Sequence, residues 1–333
     1  MRSGPIASFL FIVSFGVGCD RESTERSSMS EKYSPMTIHC MGRHIFNIPA
    51  VFSKTDVTTG FFQSYNVDDN ISDFDVVVRE SPLADSQFIE TISKRRAQLK
   101  SNVSETDNVF RLERKLNETA TLFRIQRVEE AYVSELHFLR GKNIVEIKVK
   151  SYKNSFLSAE EKLEKFMSNI FIADQERATG FCLGALSVQG DFLQESGQTY
   201  WQDDAGNRFE FKIDSFTTQD PKSLLERMAG PDSLLSLFHI GHTVLRSGER
   251  KVAGMRAQEW LGWTNFDVGD NEKSFKFKME TIRAVGNRAA PSIAVTFDSA
   301  QKLADGTEPK TNLSDKQAAL MWDAVIDSIQ PKK

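Results

Sequence analysis

The sequence predicts an α+β fold of two tandem, related domains, each an antiparallel sheet with helices packed on one face. Three observations carry this. A Cys-x-Gly pattern in His39-Cys40-Met41-Gly42-Arg43 returns in altered form as Phe181-Cys182-Leu183-Gly184, about one ordinary domain length later. Each copy is followed by strand-like runs, a middle helix, an antiparallel set and a closing helix. Strict parallel strand–helix–strand alternation is missing.

The first domain is expected over residues 37–174. Asp73–Val78 reads as a strand, and Ser81-Pro82 breaks the chain before a helix over Leu83–Lys100. Phe88, Ile89, Ile92 and Leu99 give that helix an apolar stripe at spacings near three, four and seven. Strand-like runs follow at Val109–Leu112, Thr121–Val128 and Tyr132–Leu139. Gly141-Lys142-Asn143 turns the chain into Ile144–Val149, where Val145, Ile147 and Val149 share one face, so this pair forms a hairpin. Ser158-Ala159-Glu160-Glu161 carries the Ser-x-x-Glu capping pattern for a helix with Leu163, Phe166, Met167 and Ile170 inward.

The second domain is expected over residues 175–333, with the linker near Ala173–Thr179. Leu183–Val188 and Thr199–Trp201 read as strands, and Asp203–Asn207 turns into the alternating Phe209, Phe211 and Ile213. Asp220-Pro221 opens a helix to Met228 that Gly230-Pro231 stops. Leu234–Leu245 is apolar without a decisive period. Gln258–Trp263, Ser274–Ile282 and Ser292–Phe297 are strands, the last two with Phe275, Phe277 and Met279, then Ile293, Val295 and Phe297, at period two. Ser314 caps a final helix that buries Leu320, Met321, Trp322, Val325, Ile326 and Ile329.

The N-terminus reads as a targeting segment over residues 1–19. Arg2 is the only charge before Asp20, and the apolar run between them is too short to span a bilayer, which takes about 20 apolar residues. Gly16-Val17-Gly18-Cys19 resembles the lipobox of bacterial lipoproteins, with Gly16 where that pattern usually has Leu. The resemblance implies lipid attachment at Cys19 and a membrane anchor; simple cleavage after a small residue is the other reading. Asp20 resembles the residue that retains such lipoproteins at the inner membrane. Residues 20–36, rich in Ser and mixed charge, read as a flexible tether.

Composition narrows the function classes. Aromatic content is 25 Phe against 5 Tyr and 4 Trp, a profile of buried packing. The formal net charge of −4, with no basic block, argues against nucleic-acid binding. With Cys19 set aside, Cys40 and Cys182 are left. An oxidising periplasm permits one disulfide between them, and two buried free thiols are the alternative.

Catalytic chemistry finds little footing. Gly180-Phe181-Cys182-Leu183-Gly184 matches a nucleophile elbow with Cys for Ser, but the elbow needs a strand before it and a helix after it, and neither is predicted here. His239 and His242 have an H-x-x-H spacing without the further ligands zinc wants. Asp68, Asp69 and Asp73, then Asp203 and Asp204, then Asp267, Asp270 and Glu272, lack calcium-loop spacing and read as loop tips. No cofactor or metal is expected, and the chain reads as a binder, not an enzyme.

His39-Cys40-Met41-Gly42-Arg43-His44-Ile45-Phe46-Asn47-Ile48-Pro49 resembles the opening motif of type VI secretion lipase immunity proteins, and Gly180–Gly184 resembles the opening of their second domain. Leu320-Met321-Trp322-Asp323-Ala324-Val325-Ile326-Asp327-Ser328-Ile329 is similar to their closing helix, and Gly254-Met255-Arg256-Ala257-Gln258-Glu259-Trp260 to a strand segment. The resemblance implies a periplasmic inhibitor that grips one cognate phospholipase effector with both domains, and it assigns no interface residues. An envelope lipoprotein acting as a scaffold or small-ligand-binding module is the alternative.

Overall fold

A computed structural model of the chain describes residues 33, 35–55, 57–64, 72–101, 109–173, 180–216, 222–229, 242–264, 273–282, 288–299, 311 and 313–332. The first half opens with a hairpin, β1 (Met36–Gly42) and β2 (His44–Pro49), and continues through β3 (Ser53–Lys54), β4 (Val57–Ser64) and β5 (Ser72–Glu80). Helix α1 (Ala84–Ser101) leads to a four-strand meander, β6 (Val109–Asn117), β7 (Ala120–Val128), β8 (Ala131–Arg140) and β9 (Asn143–Tyr152). Helix α2 (Phe156–Ser168) and β10 (Ile170–Ile172) close it. The second half repeats this plan. Its hairpin is β11 (Phe181–Leu183) and β12 (Leu186–Val188), followed by β13 (Gln194–Gln202), β14 (Arg208–Asp214) and helix α3 (Leu224–Ala229). The meander is β15 (His242–Val252), β16 (Met255–Thr264), β17 (Ser274–Thr281) and β18 (Ser292–Asp298), and α4 (Asp315–Asp327) with β19 (Gln330–Pro331) ends the chain.

The α+β class with antiparallel sheets is as expected. The two halves share their sheets. In the 13-stranded sheet, β4-β5-β9-β8-β7-β6 runs outward one way and β13-β14-β18-β17-β16-β15 the other, and β4 pairs with β13 at the seam. The order is the same in both directions, which makes the seam a pseudo-twofold axis. The 6-stranded sheet lies over that axis in the order β10-β12-β11-β1-β2-β19. Here each half lends its closing strand to the other, because β10 pairs with β12 and β19 with β2.

Period two fixes which face of the large sheet is buried. Phe209, Phe211 and Ile213 on β14 and Ile293, Val295 and Phe297 on β18 turn inward to the main core. The smaller sheet, α2 and α4 cover that face. Helix α2 contributes Ala159, Leu163 and Phe166, and α4 contributes Ala318, Met321, Trp322, Val325 and Ile326, at helical spacing. Phenylalanines fill the space between: Phe46 stacks on Phe211 with centroids 3.7 Å apart, and Trp322 meets Phe277 edge-on at 5.7 Å.

The middle helices take the opposite face. Phe88, Ile92 and Leu99 of α1 pack on Phe123, Ile125 and Ile144, the out-of-phase partners of the inward Leu122 and Val145. Arg95 of α1 forks onto the buried Glu135 at 2.7 and 2.8 Å. At the other end, the Leu225 N–H in α3 donates to Gln258 Oε1 at 3.2 Å, and Arg227 pairs with Glu280.

Helix boundaries differ from expectation at several points: α3 begins only at Leu224, and Ile170, expected on the face of α2, lies past its end in β10. Ser314 caps α4 with a full capping box to Gln317. Helix α2, however, starts a turn before Ser158, after Ser155, whose hydroxyl is tied into the preceding turn at Tyr152. Glu160, inside the first turns of the helix, is held by Arg124 at 2.6 and 2.9 Å and accepts from the Ser134 hydroxyl at 3.1 Å.

Candidate partner-binding surface

The feature that both halves build together is the seam, and it has two sides. On the inner side, Cys40 and Cys182 form a disulfide with Cα atoms 5.8 Å apart, closing a separation of 142 residues. The adjacent pairs Met41↔Leu183 and Gly42↔Cys182 place it between the two hairpins. Cys182 lies inside a hairpin strand, and β12 follows where a nucleophile elbow would need a helix, so the elbow reading fails on geometry. Glu195, buried under this hairpin pair, accepts from Arg43 at 2.7 and 3.1 Å and from Arg288 at 3.3 Å.

On the outer side, α1 covers one end of the sheet and α3 lies on β16 near the other. Between them the outward side chains of β5, β4, β13, β14 and β18 are exposed or half-exposed. The register aligns them in rows: Asp75, Phe61, Ser196, Asp214 and Ser292; then Val77, Thr59, Gln198, Lys212 and Ala294; then Tyr200, Glu210 and Thr296. Gln198 donates to Glu210 Oε1 at 2.6 Å and contacts the Tyr200 hydroxyl, and the Arg208 guanidinium lies 3.9 Å above the Tyr200 ring. Burial, with the neighbouring Glu210 charge, raises the Tyr200 pKa and keeps the phenol protonated. Asp75 and Lys212 are exposed and make no ion pair among the described residues.

This face suits a protein partner. The half-buried aromatics Phe61 and Tyr200, the latter held through its hydroxyl by Gln198, surrounded by polar and charged groups, match the anatomy of non-obligate interfaces. Five strands at about 4.8 Å spacing and seven residues at about 3.3 Å give roughly 500 Å². A standard interface buries about 800 Å² per partner, so a partner would also reach the flanks near α1 and α3. A second exposed apolar group, Val128, Tyr152 and Leu157 at the end of β7, β9 and α2, belongs to the first half alone.

The remaining sequence candidates separate widely. His242 is exposed at the start of β15, while His239 lies outside the described residues, and no group of three metal-capable side chains forms among the described residues. Asp203 builds its turn, accepting from the Ala205 and Asn207 N–H groups at 3.0 and 2.8 Å. Asp68, Asp69, Asp267, Asp270 and Glu272 lie outside the described residues, as do Cys19 and the targeting segment. Among the described residues no helix is long and apolar enough to cross a membrane.

Residues 176–333 match the family model of the Tle cognate immunity protein 4 C-terminal domain. Those residues belong to that immunity-protein family. Three solved structures share the fold over nearly their whole length. A chain of the crystal structure of the Tle4–Tli4 complex is 18% identical with a TM-score of 0.65, covering 90% of this chain and 98% of that one. The apo structure of the immunity protein TplEi of the type VI system of Pseudomonas aeruginosa is 18% identical with a TM-score of 0.62, covering 89% and 97%. The same protein with an "L" peptide gives 18% and 0.59, covering 90% and 99%. No match is found among curated proteins. The expected resemblance to type VI lipase immunity proteins is thus borne out, with the family match covering the C-terminal half and the fold match both halves.

Proposed function

We propose that the chain is a periplasmic immunity protein that binds one cognate type VI lipase effector and blocks it by contact, with no chemistry of its own. The match of residues 176–333 to the Tle-cognate immunity domain carries this reading. The fold likeness to a chain solved in a Tle4–Tli4 complex supports it, because the likeness extends over both halves. The open outer face at the seam is the surface we assign to the effector, since a partner seated there touches β4 and β5 of one half and β13, β14 and β18 of the other.

Lipid attachment at Cys19 and retention at the inner membrane by Asp20 belong to the same proposal. A random-coil tether over residues 20–36 reaches about 20–25 Å. It would hold the inhibitor near the lipid surface that a phospholipase attacks and raise its effective concentration there.

Co-expression with the lipase encoded beside its gene tests the function. Purification should yield a one-to-one complex, and periplasmic expression of the chain should rescue cells from that lipase. A chain that is exported and folded yet neither copurifies nor rescues refutes the proposal.

A further inference from the structure

Cys40 and Cys182 hold equivalent places in the two halves, but their surroundings differ. The Lys332 N–H donates to Arg43 O at 2.9 Å just past β19, and the Ala173 N–H donates to Ala185 O at 2.9 Å just past β10. Arg43 and Ala185 each follow the glycine turn of their hairpin, so Lys332 and Ala173 are the same position in the two copies. At that position the second half has a long cation and the first half a methyl group. Lys332 Nζ lies 3.1 Å from Cys182 Sγ. Cys182 is fully buried, while Cys40 keeps 6% of its surface in solvent.

An adjacent ammonium favours thiolate over thiol, and thiolate is the species that attacks a disulfide. We propose that Lys332 is a positioning residue for disulfide closure, making Cys182 the attacking sulfur and Cys40 the sulfur attacked. Because β19 carries Lys332 into place, closure is coupled to docking of the last strand, and the disulfide closes faster once the C-terminus has seated.

The step balances with an exchangeable low-molecular-weight disulfide, RSSR, as oxidant. The Cys40 thiolate bonds one sulfur of RSSR and expels RS⁻. The Cys182 thiolate then attacks Cys40 Sγ, the bond between Cys40 and the bound SR breaks, and a second RS⁻ leaves. Each RS⁻ takes a proton from solvent, matching the two protons the cysteines release, and two electrons pass from the thiols to RSSR. Other charged or titratable groups on the surrounding elements are Arg43, held by Glu195, Lys54, held by Glu80, and the histidines His39 and His44, which burial keeps neutral at neutral pH.

Oxidised glutathione is the probe. In the full chain with Cys40→Ser, ionisation of Cys182 is read by ultraviolet thiolate absorbance, with Cys40→Ser/Cys182→Ser as the blank for Cys19. Adding Lys332→Met should raise the midpoint by about one pH unit, and Lys332→Arg should leave it in place. In the chain with both cysteines, Lys332→Met should slow closure at neutral pH about threefold, because an eightfold or so loss of thiolate is partly offset by higher nucleophilicity. Unchanged Cys182 ionisation in Lys332→Met overturns the proposal. Should Cys40→Ser fail to fold, the pH–rate profile of closure decides: a profile that Lys332→Met does not move overturns it equally.

Discussion

Gly60 and Gly197 are cross-strand partners at the seam, and each lies beneath a side chain of the disulfide-linked hairpins. A Cβ on Gly60 would stand 2.9 Å from Leu183 Cδ1, and one on Gly197 would stand 2.8 Å from Met41 Sδ and 3.0 Å from the Phe181 ring. Met41 and Leu183 are themselves paired. The axis of the molecule is therefore a four-residue contact in which two glycines let the smaller sheet settle onto the larger one.

Alanine at either glycine should destabilise the chain by overpacking, by about 1–3 kcal/mol. Gly197→Ala should cost more, since Phe181 is a fully buried ring and Leu183 offers only methyl tips. Urea unfolding followed by circular dichroism measures both. Leu183→Ala in the Gly60→Ala background should recover part of the loss, so the pair should be visibly non-additive. Strict additivity would show that the contact does not carry the cost.

The disulfide should stabilise chiefly by restraining the unfolded chain. For a loop of 142 residues the chain-entropy model allows about 5 kcal/mol, and measured effects usually run about 2–4 kcal/mol. Reduction should lower the urea midpoint accordingly, and intact mass under non-reducing conditions should show both thiols blocked to alkylation. Two alkylatable thiols in oxidised, folded material would count against the bond.

Much of the second half was legible because Phe209, Phe211 and Ile213, then Phe275, Phe277 and Met279, hold a clean period of two, and Ser314 caps its helix as its sequence implies. The seam was not. Strand β4, Val-Thr-Thr-Gly-Phe-Phe-Gln-Ser, and β13, with Gly197 at its centre, look like weak strands because glycine and threonine serve a close approach that only the tertiary fold creates. The exchange of β10 and β19 was equally silent, since two or three residues carry no periodicity. The same limit applies to the partner surface. Glu135 and His137 on β8 and Lys212 on β14 all read as outward polar positions, yet α1 buries the first two and Lys212 stays open. Pattern distinguishes the faces of a strand, not which outward face a helix will cover.

His44 offers a test of pH linkage. It is 4% exposed, its Nδ1 finds no hydrogen-bond partner among the described residues, and burial lowers its pKa from 6.5 to about 4. The folded state therefore resists a proton that the unfolded state accepts between those values. Its stability contribution is complete above about pH 6.5 and is lost as pH falls toward 4, amounting to about 1–2 kcal/mol by pH 5. The equivalent position in the second half is the fully buried Leu186. His44→Leu should flatten the loss of melting temperature between pH 7 and pH 5. An acid sensitivity identical to that of the parent chain would assign the loss to other groups.

The assignment of the outer face to the effector makes the sharpest demand, because it separates binding from folding. Lys212 and Asp75 are exposed, lie in adjacent rows on opposite sides of the seam, and make no ion pair among the described residues. Reversing them, Lys212→Glu and Asp75→Lys, removes nothing from the core, so stability should stay within about 0.5 kcal/mol. If a partner covers this face, each reversal places a charge opposite groups arranged for the other sign, and affinity should fall by about tenfold or more. Phe61→Ala and Tyr200→Ala, at the half-buried centre, should cost as much or more, as aromatic anchors do. Affinity for the cognate lipase by calorimetry, beside the urea midpoint of each variant, reads both quantities. Charged substitutions on the first-half patch, Val128→Asp, Tyr152→Asp and Leu157→Asp, serve as the comparison. Loss of affinity there, with an indifferent seam, would move the interface to one half and leave the pseudo-twofold face without a partner.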